Sequence, residues 1–171
     1  MRIGIFGGSF NPVHNGHVGV AARAVRELEL DRLLVVPAAM NPFKVDANVA
    51  RLPDDLRLEL ARAAFAPVAR TEVDDRELRR GGVSYAVDTV GEIAAENPGA
   101  RLFFLVGEDS LAGLPRWKDF ARLKELCEFR AFPRTRESST EIRRRLAAGL
   151  SVADMVPPRV AEILADRGRF F

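Results

Sequence analysis

Cysteine, tryptophan and tyrosine each appear once in this chain of 171 residues, and histidine twice. The lone thiol, Cys127, excludes an intramolecular disulfide and any metal cage built from several cysteines; such a residue packs as a small apolar side chain. No apolar run approaches the ~20 residues of a membrane-crossing helix. The first residues enter a strand-like run with no charged and apolar leader before it, so the chain is expected in the cytoplasm, away from membranes. The G-x-G-x-x-G fingerprint is missing after that run, and neither Gly-Lys-Ser nor Gly-Lys-Thr occurs anywhere. Any phosphate held here is held in another way. No stretch interleaves basic and aromatic residues as a nucleic-acid groove does, so nucleic acid is not an expected partner. Lysine is scarce too, leaving 23 of the 26 basic residues as arginine. Arginine suits bidentate contact with phosphates, although base composition or heat adaptation produces the same bias.

What is present is the composition of a globular protein, 47% hydrophobic and 29% charged, with a net charge of only +2. The length fits one domain with a substantial core. Its Rossmann-like part is expected over about 1–134 and a helical part over about 135–171. Apolar strand-like runs alternate with helical ones. Strands are expected at 2–6, 32–36, 68–73, 102–106 and, more weakly, 128–132. Helices are expected at 16–30, 54–65, 85–97, 117–126, 139–148 and 158–166. Leu102-Phe103-Phe104-Leu105-Val106 is continuous and apolar, as a central parallel strand should be. Strict alternation predicts an α/β fold, a doubly wound parallel sheet of strand order 3-2-1-4-5. Its switch point lies between the carboxyl ends of strands one and four, which are Gly7-Gly8-Ser9 and Gly107-Glu108-Asp109.

Both histidines fall at that first end, in Gly7-Gly8-Ser9-Phe10-Asn11-Pro12-Val13-His14-Asn15-Gly16-His17. A strand there passes through a glycine-rich turn into a helix, whose first N–H groups point at any bound anion. Side chains at i and i+3 share a helical face, so His14 and His17 can hold two oxygens of one phosphate chain. A second candidate anion site is Ser138-Ser139-Thr140-Glu141-Ile142-Arg143. Ser138 with Glu141 is a capping-box pattern, sufficient by itself to explain the serine. The hydroxyls and amides of a helix start also form an anion nest, however, and Arg143 emerges from the same turn. Two helix N-termini could then grip one triphosphate from opposite sides.

The first of these stretches resembles the signature of the nucleotidyltransferases with an H-x-G-H motif, and the second resembles their second signature. Intervening blocks narrow the resemblance to the bacterial nicotinate-nucleotide adenylyltransferases. They are Val36-Pro37, Asn41-Pro42-Phe43-Lys44, Ser84-Tyr85-Ala86-Val87-Asp88-Thr89, and Val106 to Leu111 leading to Leu114-Pro115-Arg116-Trp117. The resemblance implies transfer of an adenylyl group from ATP to nicotinate mononucleotide, a step of NAD biosynthesis, with Mg²⁺ carried on the ATP phosphates and no metal site built by the protein. It implies catalytic roles for His14, His17, Lys44 and Arg143. The ATP side would be formed by Gly7, Gly8, Ser9, Phe10, His14, Gly16, His17, Gly107, Asp109, Ser138, Ser139, Thr140 and Arg143. The mononucleotide side would be formed by Asn11, Lys44, Tyr85, Thr89, Asp109, Leu114, Trp117 and Arg134, with Trp117 stacked on the nicotinate ring. Without the family, a lone tryptophan after Leu-Pro reads as a core or cover residue.

Two features depart from the family pattern. Phe43 precedes Lys44 where relatives usually carry histidine, and only Thr135-Arg136-Glu137 separates Arg134 from the second signature, where relatives insert a few tens of residues. A minimal five-stranded sheet, a weakened hold on ATP, and a homo-oligomer that completes the pocket are all compatible with that shortening. Two other functions stay open: a sister transferase acting on nicotinamide mononucleotide or pantetheine phosphate, and a nucleotide-binding relative that does not turn over.

Overall fold

The computed structural model describes residues 1–44, 50–133 and 135–167. Five strands form one all-parallel sheet: β1 (Arg2–Gly8), β2 (Arg32–Pro37), β3 (Thr71–Val73), β4 (Arg101–Gly107) and β5 (Glu128–Phe132). Their order is β3-β2-β1-β4-β5, the order expected from the alternation of elements. Seven α-helices accompany them among the described residues: α1 (Asn15–Glu27), α2 (Asp54–Phe65), α3 (Arg76–Arg80), α4 (Ala86–Glu96), α5 (Phe120–Leu126), α6 (Ser139–Ala147) and α7 (Pro158–Arg167).

Successive side chains of a strand point to opposite faces, and here each face has its own core. Leu33, Val35, Phe103 and Leu105 pack with α1, α2, α6 and α7 on one side. Leu34, Val36, Leu102, Phe104 and Val106 pack with α4 and α5 on the other. Burial on both faces is why these strands read as unbroken apolar runs. Cys127 is buried in the second core, its thiol donating to the Leu123 carbonyl, and burial pushes its pKa up to about 12. It is a packing residue and stays protonated.

Three expectations need correcting. The third strand begins at Thr71 rather than Val68, because Arg70 takes a left-handed conformation (φ 57°) and the Val68 amide closes a turn on Phe65. Residues 76–80, in the charged run after it for which no helix is expected, wind into α3. Trp117 does not begin a helix. It follows a 3-10 segment, Glu108–Arg116, that contains Pro115, and its own backbone is extended (φ −72°, ψ 143°). The next helix starts only at Phe120, after Asp119 at φ 48°. The left-handed backbone of Asp119 interrupts any helical run from 117 into α5.

Candidate functional site

In open parallel sheets, ligands bind at the carboxyl ends of strands where the order reverses. Here β1 lies between β2 and β4, pairing Ile5 with Leu34 on one side and with Phe104 on the other. A cavity of about 440 Å³ opens at that crevice. Gly7 and Gly8 form one border and Gly107 another; Tyr85, Trp117 and Phe43 contribute aromatic surface. The Trp117 ring meets Phe104 edge-on at 5.6 Å and Phe129 at 6.1 Å, while Phe43 tilts toward it at 6.4 Å. Its amide donates to the carbonyl of Leu114, a core residue that anchors this segment from beneath. Lys118 lies over the Tyr85 face at 4.4 Å and pairs with Asp88 at 3.2 Å.

Beside the cavity, the turn after β1 leads into α1. His14 occupies the N-cap position with extended backbone, and its amide donates to Nδ1 of His17 at 3.2 Å. The two imidazoles stack with centroids 3.7 Å apart. Phe10 is buried in a left-handed conformation (φ 42°), and its ring meets that of His17 at 5.0 Å. His14 is 7% exposed and its Nδ1 is buried without a hydrogen-bond partner. Such orphaned atoms are rare in folded proteins, and this one stands at a helix start, where anions are favoured. Burial drops the pKa of His14 to about 4, the charge of Glu137 opposing the shift. At neutral pH the ring is an uncharged imidazole.

The second signature reaches the same turn. Ser139 Oγ donates to the Pro12 carbonyl at 2.9 Å, and Arg143 donates to the Asn11 carbonyl at 2.7 Å and to Thr140 Oγ1 at 3.2 Å. Ser138 caps α6 by accepting from the Glu141 amide; the Glu141 carboxylate turns away to Arg144 and Arg145, so the reciprocal half of the capping box is not made. The starts of α1 and α6 are thus tied together through residues 11–14. A Cβ on Gly16 would collide with Thr135 and come within 3.1 Å of Glu137, so only glycine fits under the connection from β5 to α6. At Gly107 the nearest atom is Asp109 Oδ1, 2.6 Å from where a Cβ would stand, so the carboxylate of Asp109 lies directly beside this strand end.

The expected residues fall into three groups. Gly7, Gly8, Gly107, Tyr85 and Trp117 border the cavity. Phe10, His14, Gly16, His17, Ser138, Ser139, Thr140 and Arg143 assemble around the adjoining helix starts, with Ser9 in the turn between the two regions. The side chains of Asn11 and Thr89 are used within the chain. Asn11 Oδ1 accepts from the Leu52 amide and its Nδ2 donates to Ala50, while Thr89, 1% exposed, donates to Glu77. The backbone of Lys44 ends a 3-10 turn (Pro42–Lys44), but its side chain, like Arg134, lies outside the described residues.

Two buried charges escaped the sequence reading. Arg57, 1% exposed, donates to the carbonyls of Ser9 (2.6 Å) and Ala38 (2.8 Å) and to Asp54 (2.6 Å). It ties the turn after β1 to the end of β2. A signal existed: Arg57 shares the apolar stripe of α2 with Leu60, Ala61 and Ala64. Glu77, 6% exposed, lines the cavity, with burial pushing its carboxyl above the usual range and hydroxyls from Thr89 and Ser84 opposing. No periodicity in its charged run marks it out.

Comparison with known proteins places this geometry. The profile of the cytidylyltransferase-like family matches residues 5–145. A probable nicotinate-nucleotide adenylyltransferase of Gemmatimonas aurantiaca is 38% identical, the match covering 99% of this chain and 92% of that one. Its counterpart of the same name in Albidiferax ferrireducens is also 38% identical, over 96% and 95% of the two chains. Among solved structures, the Plasmodium falciparum nicotinic acid mononucleotide adenylyltransferase in complex with NaAD shares the fold, with a TM-score of 0.76 at 14% identity over 97% of this chain and 95% of that chain. The first alignment spans 198 positions against 171 residues here, so that relative carries residues this chain lacks.

Two predictions arise from the buried groups. Arg57→Met leaves the Ser9 and Ala38 carbonyls without their donor and should destabilise the fold by about 2–4 kcal/mol, measured by urea unfolding. The His14 ring should titrate near pH 4 by NMR, assigned through His14→Gln. Because the folded pKa lies below the unfolded 6.5, the unfolded chain binds the proton first. Stability from this group is complete above pH 6.5 and is lost as pH falls toward 4, a slope that His14→Gln should remove.

Proposed function

We propose that this chain, which belongs to the nicotinate-nucleotide adenylyltransferases of the cytidylyltransferase-like family, transfers an adenylyl group from ATP to nicotinate mononucleotide in the cytoplasm. The observation that carries the reading is the union of two unlike regions at one switch point. An aromatic-walled cavity suited to a pyridine nucleotide adjoins two helix starts suited to a triphosphate. In the reaction, an oxygen of the mononucleotide phosphate attacks the α-phosphorus of ATP. The bond from that phosphorus to the bridging oxygen breaks, and pyrophosphate leaves.

The attacking phosphate has a second pKa near ~6 and is ionised at neutral pH, so no protein nucleophile or strong general base is required. Alignment and stabilisation of charge on phosphate oxygens suffice. His14 and His17 are proposed to contact the ATP phosphates as charge moves toward the departing pyrophosphate, with Arg143 and the hydroxyls of Ser139 and Thr140 approaching from α6. Trp117 and Tyr85 would hold the pyridine ring. Lys44, Asp109 and Arg134 are proposed on the phosphates and ribose by their place in the family pattern.

Mg²⁺ is part of the proposal. The ion would be carried by phosphate oxygens and water, with Asp109, beside Gly107, as the nearby carboxylate. Bound in that way, the ion would neutralise phosphate charge.

The test is pyrophosphate release from ATP and Mg²⁺ with nicotinate mononucleotide, nicotinamide mononucleotide or pantetheine phosphate. Release with the nicotinate acceptor at rates well above the others supports the reading; release with another acceptor alone, or ATP binding without release, overturns it. Within an active enzyme, His17→Ala should lower kcat by about 10²-fold or more with little change in the melting curve. Trp117→Ala should raise KM for the mononucleotide by about tenfold and leave that for ATP unchanged; Trp117→Phe, which keeps a ring against Phe104 and Phe129, should recover most of the loss.

A further inference from the structure

Glu77 lies at the junction of four segments that meet on the cavity wall. It sits on α3. Thr89, on α4, donates its hydroxyl to Glu77 Oε1 at 2.6 Å. The hydroxyl of Ser84, just before α4, lies near the same carboxylate and favours its charged form. Ser84 Oγ in turn accepts from the Ala39 amide at 2.9 Å, in the segment leaving β2, and the Ser84 amide donates to the Met40 carbonyl at 2.8 Å. Arg80 brackets the cluster, reaching Thr89 Oγ1 at 3.4 Å and pairing with Glu92 at 2.8 Å. An ionised carboxylate is acceptor-only, so it takes the Thr89 hydroxyl without offering a proton in return.

These bonds hold cavity surface in place. Glu77, Ser84, Tyr85 and Ala38 all line it. Tyr85 follows Ser84 directly and occupies the N-cap position of α4, so its ring is aimed by the segment that Ser84 fastens. Ring recognition needs geometry held to a fraction of an ångström, and residues that lock the supporting segments set that geometry.

We infer that Glu77 is a positioning residue for the acceptor: through Ser84 and Thr89 it sets the wall on which the pyridine ring rests, without serving the ATP side. This rests on reading the cavity as the acceptor site, and it gives Thr89 an indirect part in place of the direct contact that the family pattern implies.

Trp117 is the only tryptophan, and it lines the cavity, so its fluorescence reports acceptor binding. The experiment titrates the full-length protein with nicotinate mononucleotide by fluorescence and with ATP by calorimetry, alongside steady-state kinetics. Glu77→Ala should weaken mononucleotide binding and raise its KM by about tenfold, with the KM for ATP unchanged. Glu77→Gln, which keeps one carbonyl acceptor, should recover most of that loss. If Glu77→Ala does not fold, Thr89→Val removes the hydroxyl that Glu77 accepts at nearly constant volume and should shift the mononucleotide alone, by a smaller factor. Equal losses for both ligands, or a lowered melting temperature with unchanged mononucleotide binding, would overturn the inference while leaving the function standing. A wild-type protein that binds ATP but no mononucleotide would overturn the function, and the inference with it.

Discussion

The parallel pairing of β1 with both β2 and β4 places two glycine-bearing strand ends side by side, and the candidate site is built on that adjacency. In a right-handed doubly wound sheet, the chain leaves β1 toward one face and arrives at β4 from the other. The connections after the two strands therefore diverge and leave a crevice. Gly7 and Gly8 on one side and Gly107 on the other border that crevice. The segment after β4 brings Trp117 to the aromatic wall, and the segment after β1 brings the histidine turn and the start of α1. Neither region would meet the other if β1 were an edge strand.

Holding the crevice open is the work of buried polar groups rather than of apolar packing alone. The turn after β1 carries carbonyls that no regular ladder satisfies, and arginine side chains reach them from two helices. Arg57 takes that of Ser9, together with the Ala38 carbonyl at the end of β2, from α2; Arg143 takes that of Asn11 from α6. Across the crevice, Glu77 performs the complementary task by accepting the Thr89 hydroxyl. An interior charge is costly unless fully engaged, and its removal strands its partners, so each such group defines one local arrangement more sharply than a methyl contact could.

The sheet was legible in the sequence because strands buried on both faces leave unbroken apolar runs, and because strict alternation with helices admits few topologies. The histidine turn and the Ser138 signature were legible as helix starts, and topology alone brought the first of them to the switch point. Trp117 was misplaced on a helix because apolar spacing from 117 to 126 imitates a helical period. The proline two residues earlier and the left-handed Asp119 are local backbone facts that periodicity does not register. Glu77 was hidden for a different reason. Its partners Ser84 and Thr89 stand at distances along the chain that no local motif encodes, so an acidic residue inside the charged run 74–80 reads as solvated surface. Arg57 could have been found, since a charge within an apolar helical stripe has to be satisfied by something buried.

The shortened connection between β5 and α6 illustrates how one glycine can answer two demands. The family pattern places Gly16 among the residues of the ATP side. In this chain the same position also lies beneath Thr135 and Glu137, the segment where the resemblance expects a longer insertion. With so few residues available, that segment crosses directly over α1, and a methyl group at residue 16 would obstruct it whether or not a nucleotide were bound. The carboxylate of Glu137 thereby lies close enough to favour the protonated form of His14, yet burial outweighs it and the imidazole stays neutral. Desolvation, rather than the neighbouring charge, thus sets the electrostatic character of this helix start. With His14 uncharged, the positive end of the α1 dipole and the Arg143 guanidinium carry the positive character of this turn among the described residues.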